Sequence, residues 1–346
     1  MSDAKEAGLT LDVEDTSEAA LQVSESGRAA FLDQGYGLSV HWGLYSLLSG
    51  NEWVYYLKSV PYDEYQGLMA RFEAPRFDAD EWADLMLESG QRFLLVTAKH
   101  HDGFCLWDTN QTEFKTTNAA IGRDVLAQLA EALRRRGLAL HFYYSLVDWT
   151  QPDYRADWDA YVAYYHEQLR ELCTWFGPIG GFLFDGYWPR ERPFDGRGLD
   201  YFGPGRKPEW LSFDLAGAYD LIHRLQPNAV ITNNTHVLPL KGEDYQVWEQ
   251  DVPGQNTLEN NTTQIGGLPV ASWWNTNAGW SYEPEQHRVK CPEDILANHD
   301  TLQKLKGVFM LNVGPRSFGD IHPEEQMVLR RVGQRLRERS ANKEAG

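Results

Sequence analysis

Residues 93–104 read FLLVTAKHHDGF. Phe93–Ala98 is an apolar, partly β-branched run too short for a helix. A strand with that composition is buried on both faces, as in a parallel sheet. The run then breaks into Lys99, His100, His101 and Asp102. Downstream, GRDVLAQLAEALRRRGL (122–138) predicts a helix over Asp124–Arg136. Val125, Leu126, Leu129, Ala130 and Leu133 share one face, Arg134–Arg136 favour its C-terminal end, and Gly137 stops it. A second apolar run, Leu138–Tyr144, follows. Strand, helix and strand of this kind form a right-handed crossover unit with the sheet covered by helices.

The same alternation extends both ways. Further strands are expected at Leu38–Trp42, Gly181–Phe184, Ala229–Thr232, Tyr245–Trp248, Leu268–Ala271 and Val308–Asn312. Helices are expected at Asp80–Ser89, Asp157–Trp175, Leu211–Leu225, Pro292–Lys304 and Pro323–Arg337. Eight strands with no break in composition predict an α/β fold of the (β/α)8 TIM-like barrel type as one catalytic domain. A doubly wound sheet is the competing architecture, but no GxGxxG follows the first strand and no GxxxxGK[ST] occurs. The barrel is expected to occupy residues 29–338. An acidic flexible tail is expected at 1–28, an inserted loop at 188–210 and a second tail at 339–346.

Composition limits what such a barrel does. Fifty acidic against 32 basic side chains give a net charge of −18, which argues against a phosphate-backbone partner. Cys105, Cys173 and Cys291 are scattered, without a CxxC pair or a disulfide framework. With no signal-peptide pattern and no 18-residue apolar run, a cytoplasmic protein without membrane association is expected. Aromatic residues make up 13%, enough both for a large core and for a ligand cleft.

In a barrel of this type the working residues sit just beyond the C-terminal ends of the strands. His41 and Trp42 close the first strand, with Glu52 and Trp53 beyond. Lys99, His100, His101 and Asp102 close the second, and Tyr143, Tyr144 and Ser145 the third, before Asp148 and Trp149. Asp185 closes the fourth; Asn233, Asn234 and His236 the fifth; Glu249 and Asp251 the sixth; Asn312 the eighth. Asp185 follows three apolar residues and precedes Gly186, a setting for a half-desolvated carboxylate that could stabilise an oxocarbenium-like state. Its other reading is a helix cap or a structural ion pair. His41, His100 and His101 suit sugar hydroxyls or a metal, although no HExxH is present. Trp42, Trp53 and Trp149 could wall a sugar ring or belong to the core.

In this light the chain resembles glycoside hydrolase family 29, the retaining α-L-fucosidases, over roughly residues 36–335. The resemblance rests on HWGLYS, EW in NEWVYY, KHHDGF, GRDVLAQLAEALRRRGL, YYSLVDW, FDG and LNVGP followed by Gly319-Asp320. It implies hydrolysis of terminal α-L-fucosides, or a closely related glycoside, through a covalent glycosyl-enzyme intermediate. Asp185 is implied as nucleophile, with His41, Glu52, Trp53, His100, His101, Tyr144 and Trp149 around the substrate. No cofactor and no metal are implied. The implied partner is a fucosylated oligosaccharide or glycoside, with no nucleic acid and with oligomerisation left open. Many relatives carry a β-sandwich after the barrel; here a barrel alone, without a C-terminal β-sandwich, is expected.

Two departures stand out. The family's tryptophan two residues before the nucleophile is Leu183, and Ala271 stands where many relatives have the acid/base glutamate. Glu249, at the end of a strand in YQVWEQDVPG, is the replacement candidate, with Glu243 and Asp244 behind it. Two further readings follow: a non-catalytic carbohydrate-binding descendant of a fucosidase, suggested by Ala271 and Leu183, and a metal-dependent barrel hydrolase, suggested by the loose histidine cluster.

Overall fold

The computed structural model describes residues 24–187, 213–257 and 261–344. Eight parallel strands form the sheet: β1 Tyr36–Val40, β2 Phe93–Lys99, β3 Ala139–Ser145, β4 Gly181–Asp185, β5 Val230–Asn233, β6 Gln246–Glu249, β7 Val270–Asn275 and β8 Val308–Val313. Continuous ladders run in the order β5-β4-β3-β2-β1-β8-β7-β6. The remaining seam, β5 against β6, is closed by fewer bonds. Asp244 N donates to Ile231 O at 2.7 Å, and Thr232 Oγ1 donates to Tyr245 O at 2.7 Å. The sheet thereby becomes a barrel.

Burial on both faces explains why the strands read as apolar runs. Phe93, Leu95, Tyr143, Leu183, Val230, Val247, Ala271, Trp273, Val308 and Met310 fill the interior. Their strand neighbours Leu94, Val96, Phe142, Tyr144, Phe182, Phe184 and Ile231 pack outward under the helices. The longer helices are α1 Glu25–Gln34, α2 Ala79–Ser89, α3 Val125–Arg135, α4 Trp158–Trp175, α5 Leu215–Leu225, α6 Pro292–Lys304 and α7 Pro323–Glu344. In α3 the predicted apolar face is the buried one, and Asp124 caps the start by accepting from Ala127 N at 2.8 Å. Such a cap is worth about 1 kcal/mol.

Both ends differ from the expected tails. Residues 25–28 belong to α1, whose Phe31 closes the floor of the barrel against Tyr245 (ring centroids 4.5 Å apart) and Phe93 (5.7 Å). Residues 339–344 continue α7. The expected insertion at 188–210 lies outside the described residues. Among the described residues, no helix is long and apolar enough to cross a membrane.

Candidate active site

The C-terminal ends of the strands gather most of the expected residues in one mouth. Asp185 is the last residue of β4, and Gly186 takes the chain away at φ +79°, where any Cβ would also press on Val147 Cγ2 at 2.8 Å. Glycine is required there on both counts. The carboxylate accepts from Gly186 N at 2.8 Å on Oδ1 and from the Tyr143 hydroxyl at 2.8 Å on Oδ2. Burial, and then the negative charge of Glu249, push its pKa up to about 7 against the pull of those two donors. A carboxylate held this way is poised between its two protonation states near neutrality.

Glu249 ends β6 on the inner face and is half-buried. Its Oε2 accepts from Asn234 Nδ2 at 2.5 Å and lies 3.6 Å from His236 Nε2. The other two carboxylates considered for its role lie at the wrong end. Glu243 and Asp244 precede β6 and are fully buried on the N-terminal side of the barrel. There Asp244 pairs with Arg28 at 3.2 Å and accepts from Ile231 N at 2.9 Å, while Glu243 accepts from Tyr219 Oη at 3.3 Å. Neither reaches the mouth. Ala271 is also remote from it, because β7 continues to Asn275. Ala271 pairs with Val247 and Val308 inside the barrel, two residues below Trp273.

The histidines present lone pairs. The amide of Asn312 donates to Asn275 Oδ1 (3.1 Å) and to Trp280 O (2.7 Å), so its oxygen accepts from His41 Nδ1 at 2.8 Å. Nε2 of a neutral His41 is then an acceptor, and burial lowers the ring's pKa to about 4. Likewise the Ser145 hydroxyl donates to Val147 O (2.7 Å) and accepts from His101 Nδ1 (2.6 Å). The His101 Nε2 lone pair is thereby directed toward Asp185 Oδ2, 3.7 Å away. Strand β2 ends at Lys99, so His100 and His101 both turn into the mouth, their centroids 4.2 Å apart. His100 stacks on Tyr143 at 5.3 Å, and its buried Nδ1 has no hydrogen-bond partner among the described residues. Burial holds both rings well below the usual histidine pKa. Neutral imidazoles at pH 6–8 are acceptors for hydroxyl groups, not anion sites.

The walls are aromatic. Trp53 meets His101 at 5.2 Å and Trp149 at 5.3 Å. Trp273 and Trp280 pack at 4.2 Å and flank His41 on the other side. Buried Glu52, pushed up to about 7 by desolvation, accepts from Ser281 Oγ at 3.2 Å beside them. Below the rim Lys99 and Asp148 form a buried ion pair at 3.1 Å that ties β2 to the loop after β3.

One expected residue lies elsewhere, and Trp42 takes the core alternative left open for it. Tyr144 is on the outer face of β3, where its hydroxyl donates to Gln168 at 2.6 Å; Tyr143, one residue earlier, is the tyrosine of the mouth. Trp42 also points outward, into Phe72, Phe77 and Trp82. Pleat parity was the available signal: Tyr143 registers with Leu183, and Asp185 lies two residues beyond Leu183 on the same face. Sequence reasoning did not assign roles to Tyr143, Asn234, His236, Trp273 or Trp280.

Among the described residues, His287, His322 and Glu324 are the group whose spacing could hold a metal ion, and they lie outside this constellation. Asn277 Oδ1 accepts from Ala278 N and Arg288 N, so its Nδ2 donates to His287 Nδ1 at 2.7 Å. A neutral His287 then carries its proton on Nε2, 3.3 Å from Glu324 Oε2. That proton faces the carboxylate, so this tautomer does not offer a metal the Nε2 lone pair it needs.

Comparisons with known proteins concern the family and the fold. A family described as Alpha-L-fucosidase matches residues 12–341. Alpha-L-fucosidase 1 of Arabidopsis thaliana is 29% identical over 282 residues, covering 75% of this chain and 51% of the relative. The chain thus spans about half the length of the curated relatives it matches. Among solved structures, alpha-L-fucosidase isoenzyme 1 from Paenibacillus thiaminolyticus superposes with a TM-score of 0.75 at 28% identity. The match covers 90% of this chain and 75% of that one. The alpha-L-fucosidase AlfC from Lactobacillus casei, solved with α-L-fucose, shares the fold at a TM-score of 0.73 and 23% identity, covering 92% and 99% of the two chains.

Proposed function

The chain belongs to the alpha-L-fucosidase family, and from that premise we propose that it is a retaining exo-glycosidase acting on terminal α-L-fucosides. Asp185 is the nucleophile. It attacks the anomeric carbon as the glycosidic bond breaks, giving a covalent glycosyl-enzyme that water then hydrolyses. Glu249 is the acid/base, protonating the departing oxygen and later taking a proton from water. The carrying observation is the placement of Asp185: a carboxylate ending β4, oriented by Tyr143 and Gly186, with Glu249 close enough to raise its pKa. A positive charge developing between two such groups is stabilised by both.

His41, His100 and His101 accept from sugar hydroxyls. Glu52 fixes a further one, and Trp53 and Trp149 cover the ring from one side. Tyr143 takes the place first given to Tyr144. The physiological substrate is a fucosylated oligosaccharide or glycoside, and the location cytoplasmic. The depth of Ala271 weakens the case for a binding-only descendant, since a glutamate there would be buried below the mouth.

The test is hydrolysis of aryl α-L-fucosides by the purified chain, with Asp185→Ala as control. Turnover that Asp185→Ala abolishes supports the reading, and unchanged turnover in that variant sinks it. Glu249→Gln should slow poor leaving groups by about 10²–10⁴-fold while sparing activated ones. An equal effect on both would remove Glu249 from the acid role.

A further inference from the structure

His236 lies beyond β5 in a conformation few non-glycine residues adopt, at φ +59°. Two neighbours hold it there. Thr262 N donates to His236 O at 2.8 Å, and the Asn261 side chain holds the ring. The orientation of Asn261 is determined by its other bonds: Nδ2 donates to Glu249 O at 2.8 Å and to Asp251 Oδ2 at 3.1 Å. Its Oδ1 therefore accepts, from Glu249 N at 3.3 Å and from His236 Nδ1 at 3.1 Å.

A consequence follows for the opposite edge of the ring. With Nδ1 committed as donor, a neutral His236 turns the lone pair of Nε2 toward Glu249 Oε2, 3.6 Å away. That oxygen already accepts from Asn234 Nδ2 at 2.5 Å, and a proton on Nε2 would give it a second donor. One proton held by the pair satisfies both, whichever atom carries it. Asn261 thus ties His236 to the backbone of the residue whose carboxylate it faces. Strain of this kind persists where the surroundings over-determine it, often at functional sites.

We propose that His236 is a positioning residue of the acid/base: together with Asn234 it orients Glu249 Oε2, and it shares the single exchangeable proton of that carboxyl. The inference rests on Glu249 being the acid/base. In the first half-reaction the proton of the pair leaves from Glu249 to the glycosidic oxygen as the bond from that oxygen to C1 breaks and Asp185 bonds C1. In the second, the oxygen of water bonds C1, the Asp185–C1 bond breaks, and the proton of that water returns to Glu249. His236 gains and loses nothing over the cycle. The charged and titratable groups facing it are Asp185 and Tyr143 across the mouth, His101 beyond Asp185, and Asp251 behind Asn261.

The test uses His236→Asn in the full chain. Asparagine tolerates the left-handed backbone and can still donate to Asn261, so the atom facing Glu249 is what is lost. With an aryl α-L-fucoside of poor leaving ability, kcat should fall roughly tenfold, and the alkaline limb of kcat/KM should move down by about one pH unit. KM and the rate on a dinitrophenyl fucoside should stay within about twofold. Added to Glu249→Gln, His236→Asn should have no further effect. An unmoved pH profile, equal losses on both leaving groups, additive losses in the double variant, or a lowered unfolding temperature without the pH shift would each overturn the proposal. If Glu249→Gln alone shows no leaving-group dependence, the acid/base assignment falls first and the inference with it. If Glu249→Gln shows it and His236→Asn does not, the inference alone falls.

Discussion

Replacing Asp185 with asparagine should stabilise the fold while abolishing turnover. The carboxyl sits at about 7 instead of 3.8, raised first by burial and then by Glu249. A carboxyl raised on folding binds more protons in the native state than in the unfolded one. Stability therefore falls as pH rises from the unfolded value toward the folded one, and stays low above it. Each pKa unit is worth about 1.36 kcal/mol, so a shift of about three units costs up to ~4 kcal/mol; with part of it arising from the charge of Glu249, we expect roughly 2–4 kcal/mol. Asparagine fits without losing a hydrogen bond. Its oxygen can accept from Gly186 N, and its nitrogen can donate to the Tyr143 oxygen once that hydroxyl turns. For a chain of this size the gain corresponds to about 3–6 °C in unfolding temperature at pH 8. The assay is thermal unfolding of both proteins at steps from pH 4 to pH 8. The advantage of Asp185→Asn should be absent at pH 4, grow through pH 7, and then level off. A variant no more stable at pH 8, or an advantage independent of pH, would refute the reasoning.

The remaining predictions concern the neighbours. Tyr143→Phe removes a donor that holds the Asp185 pKa down, so the acidic limb of kcat/KM should move to higher pH and kcat should drop about tenfold, with little change in KM. Tyr144→Phe should leave the kinetics alone and cost about 1 kcal/mol in urea unfolding, because only its bond to Gln168 is lost; the opposite pattern would reverse which tyrosine faces the substrate. Lys99→Met leaves Asp148 charged and buried, and should destabilise by about 3–5 kcal/mol, seen as a lower urea midpoint at unchanged slope.

The barrel was legible because a strand covered on both faces has a plain signature, and each of the eight expected runs overlaps an observed strand. Strand ends were less clear, and with them the site. Leu268–Ala271 stops four residues short of Asn275, which made Ala271 look like a mouth position when it is interior. Glu243 and Asp244 are near Glu249 in sequence but a strand's length away in space, since β6 separates its two ends. Tyr143 and Tyr144 differ only in parity, which counting back from Asp185 through Leu183 resolves. Helix α1, ESGRAAFLDQ, has a weak apolar face and is held mainly by Phe31 in the barrel floor. Its local signals are the caps, Ser24 at the start and Gly35 at the end, and not an apolar periodicity. The roles of Asn234, His236 and Asn261 depend on one network of side-chain bonds across separate loops, which no spacing in the chain encodes.

The central claim is that Asp185 forms a covalent bond to the sugar. Its most direct test is reaction of the purified chain with 2-fluoro-fucosyl fluoride, whose fluorine slows breakdown of the intermediate, followed by proteolysis and mass spectrometry. One fluorofucosyl adduct is expected on the peptide carrying Asp185, lost in Asp185→Ala. An adduct on another residue, or inverted anomeric configuration in the first-formed product of an ordinary fucoside, would contradict it.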